Sequence, residues 1–433
     1  MQTTDSPAVF NEDDSCDEDK LNIVVRSSDK PQPQWRKYKY IIIIIIIVFS
    51  LLIVRALRLY MSSDLENTLP VLSINPVEFD PKYSDPSTVS NMPLTTLCAS
   101  TNWRKNLYLN CTSVAKNKYG ITVSSQMGAT NLKAMIMSCV RFAIDAGMNM
   151  IIPKAPIRVE SDPGQFNQWT EITYLIDEDH LKKSLKTECP QLNLYDADLE
   201  ISNRLLKPGA NYIPPPSVGK GEYKSKIDEV LKTNNIDPAD VTVPTVIYDN
   251  EAMFGWKFNT EPAIRQSLRN AVKYQDRLLS LGRRIANLIK GDYIGFHLRV
   301  ENGWEHDDYV SSTQYFVKTI LRKFPTIKNI YVAVGDINFE NRFREDMHKQ
   351  GFLVLSKWEI AFRNQDILND LTSLTFDQRA VVEQEILERS YYFYGNGYSS
   401  LAYIIADNRG KGDLKNCQCE LVYGFYFAFK CCM

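Results

Sequence analysis

Three stretches of this chain put polar residues where an apolar run ends. In YIGFHLRVE, Tyr293 to Glu301, the run gives way to His297 and Arg299. In NIYVAVGD it closes on Asp336, and in FYGNGYSSL a glycine, an asparagine and the pair Ser399 and Ser400 open the next element. In parallel α/β sheets, ligands bind beyond the carboxyl ends of the strands. Backbone amides at a helix amino terminus hold anions, and serine hydroxyls add donors. An arginine at a neighbouring strand end presents a planar fork to the same anion. Together the three stretches describe a cradle for a diphosphate. Taken singly, Ser399 reads as an ordinary helix cap and His297 as a satisfied core histidine.

Other chemistries find little support. The chain has four histidines, and none lies in a close cluster with Cys, Asp or Glu, so a metal site is poorly founded. Asp196 and Asp198 have the D-x-D spacing by which some sugar transferases hold a nucleotide through a divalent ion, but a solvated turn is the commoner reading. No G-x-S-x-G elbow, phosphate-binding G-x-x-x-x-G-K loop or G-x-G-x-x-G fingerprint occurs. Ordinary serine hydrolases, P-loop enzymes and dinucleotide oxidoreductases drop out. A net charge of −2 with no clustered basic face excludes a nucleic-acid partner.

The elements that must position these residues alternate between strand and helix. NLKAMIMSCVRFAIDAG, Asn131 to Gly147, has helical spacing and stops on glycine; MNMIIP follows as a short strand. Residues 154 to 250 are rich in proline and turns and resist assignment. One long helix is expected from Glu261 to Lys290, with Ile264, Leu268, Val272, Leu279 and Ile285 along one stripe. Strands at YIGFHL, NIYVAVGD, FLVLS and YYFYGN then alternate with helices at SSTQYFVKTILRKF, NFENRFREDMHKQG, Gln378 to Arg389 and YSSLAYIIADN. This alternation predicts an α/β fold on doubly wound parallel sheets. The expected domains are residues 96–260 and 261–433, with a cleft between them. NCQCELVYGFYFAFKCCM, at the carboxyl end, is apolar and cysteine-rich; it reads as a buried strand with disulfides or as a mis-spliced gene end.

Residues 1–37 form a polar, acidic tail, notably NEDDSCDEDK. A transmembrane signal-anchor is expected over residues 38–60, centred on the apolar run Ile41 to Val54 and flanked by Arg55 and Arg58. A proline-containing stem over residues 61–95 follows. Five basic residues, Arg26, Lys30, Arg36, Lys37 and Lys39, precede the apolar run, which places the amino terminus in the cytoplasm and the rest in the lumen of the early secretory route. Asn110-Cys111-Thr112 is the one N-glycosylation sequon, with Asn110 the acceptor. Of nine cysteines, eight follow the span, an even number suited to an oxidising compartment, and Cys98 with Cys111 is a plausible pair.

YIGFHLRVENGW followed by ILERSYYFYGNGYSSLAYIIADNRG resembles the GDP-fucose protein O-fucosyltransferase superfamily, with its HLR motif and later F-x-G-N-x-x-S-S stretch. MGATNLKAMIMSCVRFAIDAGMNMIIP resembles the family's amino-terminal loop and helix. The resemblance implies two Rossmann-like domains facing a cleft, of GT-B type, with the donor in the carboxyl-terminal one. It makes Arg299 the arginine that neutralises the departing β-phosphate, His297 a nucleotide contact, and Ser399 and Ser400 the diphosphate serines. Glu383 falls where the family places an acid facing guanine, and Asn131 matches the asparagine of the amino-terminal loop. Asp336 joins the nucleotide-binding set from its strand end. No cofactor is implied: GDP-fucose is the donor substrate, a protein or glycan hydroxyl the acceptor, and transfer is inverting and metal-independent. The chain departs from the pattern at Thr130, where relatives have glycine, and at Gly128, where one branch carries a catalytic glutamate. Those departures favour a rival in which the same fold only binds glycans or partners.

Overall fold

The computed structural model describes residues 92–111, 114–116, 122–124, 128–160, 162–196, 205–206, 222–242, 244–249, 261–300, 309, 313–397, 399–410, 419–423 and 427–430. All of them lie within one compact unit, Val77–Met433. The tail, the span expected over residues 38–60 and nearly all of the stem fall outside the described residues. Among the described residues no helix is long and apolar enough to cross a membrane.

The first half builds α1 (Leu94–Ser100), β1 (Leu107–Cys111), the hairpin β2 (Val114–Lys116) and β3 (Thr122–Ser124), α2 (Ala129–Ala146) and β4 (Asn149–Ile151). The hairpin β5 (Ala155–Val159) and β6 (Asp162–Thr170) comes next, then α3 (Glu178–Glu188), β7 (Leu194–Tyr195), β8 (Leu205–Leu206), α4 (Glu222–Thr233) and β9 (Thr245–Asp249). Their parallel sheet has the order β7-β4-β1-β9-β8. Leu107, Leu109 and Cys111 alternate inward along β1, the period-2 signature of a strand packed on its core. Helix α2 stops where the sequence says: Gly147 adopts φ 65°, and any Cβ there would collide with the Asn102 carbonyl.

The second half runs α5 (Pro262–Ala271), α6 (Asp276–Leu288), β10 (Tyr293–His297), a π-helical turn (Phe316–Leu321), β11 (Asn329–Ala333), α7 (Ile337–His348) and β12 (Leu353–Leu355). It ends with α8 (Lys357–Ala361), α9 (Gln365–Thr372), α10 (Phe376–Glu388), β13 (Tyr392–Asn396), α11 (Ser400–Arg409), β14 (Cys419–Tyr423) and β15 (Phe427–Lys430). The sheet order is β12-β11-β10-β13-β14-β15, parallel except at β15. From β10 the chain steps outward through β11 and β12, then returns to pair β13 on the other side. That reversal is a topological switch point between β10 and β13, where such sheets open a crevice. The cysteine-rich carboxyl end supplies β14 and β15, so it is part of the sheet.

The two faces of this sheet differ. Ile294, Phe296, Ile330, Val332 and Tyr394 close an outer cluster in which Phe296 stacks on Phe316 and meets Phe343 edge-on. Tyr293, Tyr331, Ala333 and Phe393 look the other way, into a core shared with the first sheet and with α2, α5, α6, α10 and α11.

Two sequence expectations are corrected. The long helix from Glu261 to Lys290 is two helices, because the segment between them is drawn into an inter-chain-segment pairing. Asp177 N–H donates to the Lys273 carbonyl and Gln275 N–H to the Leu175 carbonyl, each at 2.9 Å, and Tyr274 bridges Ile176. No Gly or Pro marks the break. The pair Cys98 and Cys111 does not form. Cys98 joins Cys189, tying α1 to the end of α3, and Cys111 joins Cys139, tying β1 to α2. Both partners lie far along the chain, 91 and 28 residues away, and are near only once the sheet is assembled.

Candidate active site at the strand ends

Helix α11 starts abruptly. Ser399 is its N-cap, with extended backbone and no side-chain capping bond, and the first turn holds no acidic residue. Helix α2 starts the same way, on Gly128, uncapped and without an acid in its first turn. The two starts touch: Thr130 Oγ1 and Ser400 Oγ are 2.9 Å apart. Each helix end carries roughly half a positive charge, so two partly positive ends abut with no carboxylate in either first turn.

Helix α5 holds them together. Arg141 of α2 donates two hydrogen bonds, both 2.7 Å, to the Glu261 carboxylate just before α5. Arg265 and Arg269 of α5 both pair with buried Asp407 of α11. Fixing these three helices by buried ion pairs makes the Thr130–Ser400 contact a defined feature of the fold.

His297 ends β10 with only 8% of its surface exposed, and its Nδ1 is buried with no hydrogen-bond partner among the described residues. Burial, with a smaller push from nearby Arg299, lowers its pKa to about 3, so it is a neutral imidazole at physiological pH. His297 pairs in register with Gly395. A Cβ on Gly395 would come within 2.8 Å of Ala402, so that face of the strand pair carries the first turn of α11. The imidazole therefore stands beside the start of α11, at the switch point. Arg299 follows two residues on, half-buried.

A further group comes from the hairpin. Arg158 of β5 donates from Nε to Asp377 Oδ1 at 2.6 Å and from its backbone amide to Oδ2 at 3.1 Å, and its guanidinium lies over the Phe376 ring. The guanidinium rests on Gly128: a Cβ there would sit 3.0 Å from Nη2. Nothing in the sequence signals Arg158, Asp377 or the Thr130–Ser400 contact. They lie 219 and 270 residues apart, and Arg158 is in the stretch that resists assignment.

The sequence profile of the GDP-fucose protein O-fucosyltransferase family matches residues 121–411, well over half of the 433. The chain belongs to this family. Membership makes it a glycosyltransferase. Among solved structures, POFUT1 in complex with GDP-fucose is similar at 12% identity over 75% of this chain and 100% of its own, with a TM-score of 0.46. The fucosyltransferase NodZ from Bradyrhizobium is similar at 9% identity over 75% and 98%, with a TM-score of 0.43. No curated protein matches the chain. Identity this low carries no residue role across, so roles rest on this chain's own geometry.

Within this O-fucosyltransferase family chain, the residues singled out in the sequence divide. His297, Arg299, Ser399 and Ser400 lie at the strand ends around the switch point, and Asn131 is half-buried in the first turn of α2, next to Thr130. Asp336 is the N-cap of α7, accepting from Asn338 N–H at 2.7 Å and Phe339 N–H at 3.3 Å, and that capping accounts for an acid at this strand end. Glu383 is no surface glutamate. It is buried in the middle of α10 and accepts a 2.7 Å bond from the buried ammonium of Lys357. That ion pair supplies a structural reason for the residue beside the guanine contact the resemblance implies. Asn110 is half-buried in β1, the central strand of the first sheet, paired to Ile151 and Tyr248 and followed by a disulfide-bonded cysteine. Asp196 is exposed and pairs with Lys182 Nζ at 2.8 Å, whereas Asp198 lies outside the described residues. Among the described residues no group of three or more metal-ligating side chains occurs.

Proposed function

We propose that the chain transfers fucose from GDP-fucose to a protein or glycan hydroxyl, with inversion and without a metal ion. The observation that carries this reading is the convergence at the β10–β13 switch point. The uncapped start of α11 stands there beside a buried neutral histidine, with Arg299 two residues on. As the sugar bond breaks, negative charge grows on the β-phosphate. Fixed donors aimed at that charge lower the barrier because they need no reorganisation. Ser399, Ser400 and the amides of α11 hold the diphosphate, neutral His297 donates a hydrogen bond without adding charge, and Arg299 meets the developing charge with two parallel N–H groups. The two parallel-sheet halves take the places of the donor and acceptor domains of a GT-B enzyme. Buried pairing of Cys98–Cys189 and Cys111–Cys139 supports a lumenal, oxidising location, and the basic residues before residue 38 support a type II anchor over 38–60.

Arg299→Lys tests the mechanism. Lysine keeps the charge and loses the fork, so GDP binding should hold while turnover falls about a hundredfold, roughly 3 kcal/mol in the barrier. Unchanged turnover per folded molecule would remove Arg299 from the chemistry.

A second reading, a glycan- or partner-binding protein without catalysis, is favoured by Gly128: the first turn of α2 holds no acid to serve as the acceptor's base. It predicts GDP binding with neither transfer nor hydrolysis of GDP-fucose, which a coupled assay for released GDP distinguishes.

A further inference from the structure

We propose that Arg158 is a second guanidinium of the diphosphate site, delivered by the β5–β6 hairpin in addition to Arg299. The inference rests on the donor reading above. Arg158 is held as a ligand-binding arginine is held: its Nε and backbone amide are committed to Asp377, which is 1% exposed, and Phe376 supports the guanidinium plane. Its two terminal nitrogens make no hydrogen bond to a described residue. They lie over the N-cap of α2, where the Gly128 position is open only because it lacks a Cβ. Gly128 has φ −65° and ψ 170°, which any residue adopts, so it is the space, not the backbone, that wants glycine there.

A guanidinium against the positive end of a helix is the reverse of what helix electrostatics favour, and Thr130 joins this end to the equally positive start of α11. With Arg158 balanced by Asp377, the positive starts of both helices and the terminal nitrogens of Arg158 still lie together. A multiply charged anion with many oxygens satisfies that arrangement. His297 points to a ligand independently, since its buried Nδ1, beside the start of α11, has no hydrogen-bond partner among the described residues. A nucleoside diphosphate resting on α11 reaches α2 across the Thr130–Ser400 contact, and its terminal phosphate meets Arg158.

The full chain is titrated calorimetrically with GDP, GMP and inorganic pyrophosphate. Arg158→Lys still neutralises Asp377 but loses the fork; we expect at least tenfold weaker binding of GDP and pyrophosphate, GMP affinity within twofold, and a melting temperature near that of the parent. Should Arg158→Lys fail to fold, Gly128→Ala keeps the Arg158–Asp377 pair and crowds Nη2 from the other side, and severalfold weaker GDP binding is expected. GDP affinity unchanged in the variant that folds overturns the proposal. If the parent binds pyrophosphate but not GDP, and Arg158→Lys loses the pyrophosphate, the Arg158 anion site stands and the donor reading falls. A parent that binds neither overturns both.

Discussion

The two sheets follow one α/β plan and are held by different means. Around the first, two disulfides cross between elements, Cys98–Cys189 and Cys111–Cys139, and add covalent ties to the buried Arg141–Glu261 pair of α2. Around the second, among the described residues, the ties are an aromatic layer on the outer face and buried ion pairs on the inner one, Lys357–Glu383 and Arg265–Asp407–Arg269. Covalent ties stabilise a region without saying anything about its electrostatics. Ion pairs do both, since a buried charge left alone is costly. Stability and site electrostatics should therefore separate in the first half and move together in the second.

The largest expected effect is in the first half. Replacing Cys98 and Cys189 by Ala releases a 91-residue loop, worth about 4–5 kcal/mol on loop-entropy grounds. Denaturant unfolding should show that loss while GDP affinity, measured well below the transition, is kept. An affinity that falls in parallel would mean the halves are not independent in this sense.

Asp407→Asn attacks the second half. It leaves buried Arg265 and half-buried Arg269 facing a neutral amide, an expected cost of about 3–5 kcal/mol. It also loosens α11 from α5, so GDP binding should weaken with stability. Retained GDP affinity at full folding would break the coupling.

Glu383→Gln should cost about 3 kcal/mol, because Lys357 keeps a hydrogen-bond acceptor but loses its counter-charge. The double change Lys357→Met with Glu383→Leu should recover most of that stability. If Glu383 is structural, the double variant binds GDP like the parent; lost binding in a stable double variant would return the carboxylate to the guanine.

A smaller effect concerns pH. Lys133 of α2 is buried over the Tyr274 ring, and burial lowers its pKa from 10.5 to about 8. Between those values the unfolded chain binds the proton and the folded chain has released it, so stability rises as pH climbs from about 8 to 10.5. Lys133→Met should flatten that slope and add about 2 kcal/mol at pH 7. A slope that survives the substitution would assign it to another group.

The smallest is a signal that stays still. With a pKa of about 3, the His297 imidazole should show no titration between pH 5 and 8 by NMR. Movement in that range would open its pocket to water.

Local pattern carried much of the architecture. Apolar strands bounded by polar ends, and a helix stopped by Gly147, are signals held within one turn or one strand. Every strand and helix expected between Tyr293 and Arg409 is present in order, with ends shifted by a few residues. The same local logic singled out His297, Arg299, Ser399 and Ser400, because strand ends in parallel sheets gather at one edge. Where the deciding partner is distant, the sequence was silent or misleading. The stripe through Val272 reads as one helix because the Leu175–Asp177 backbone that breaks it is a hundred residues away in the chain. Cys98 looks nearest to Cys111, yet sheet assembly brings Cys189 to within 5.4 Å of it, Cα to Cα. Glu383 reads from the sequence as a helix surface or a base contact, and its buried ion pair with Lys357, 26 residues away, carries no local signal. Arg158 carried no signal, since its meaning comes from Gly128 and Asp377. Pairing across the fold depends on which surfaces the hydrophobic core brings together, and only the tertiary structure decides that.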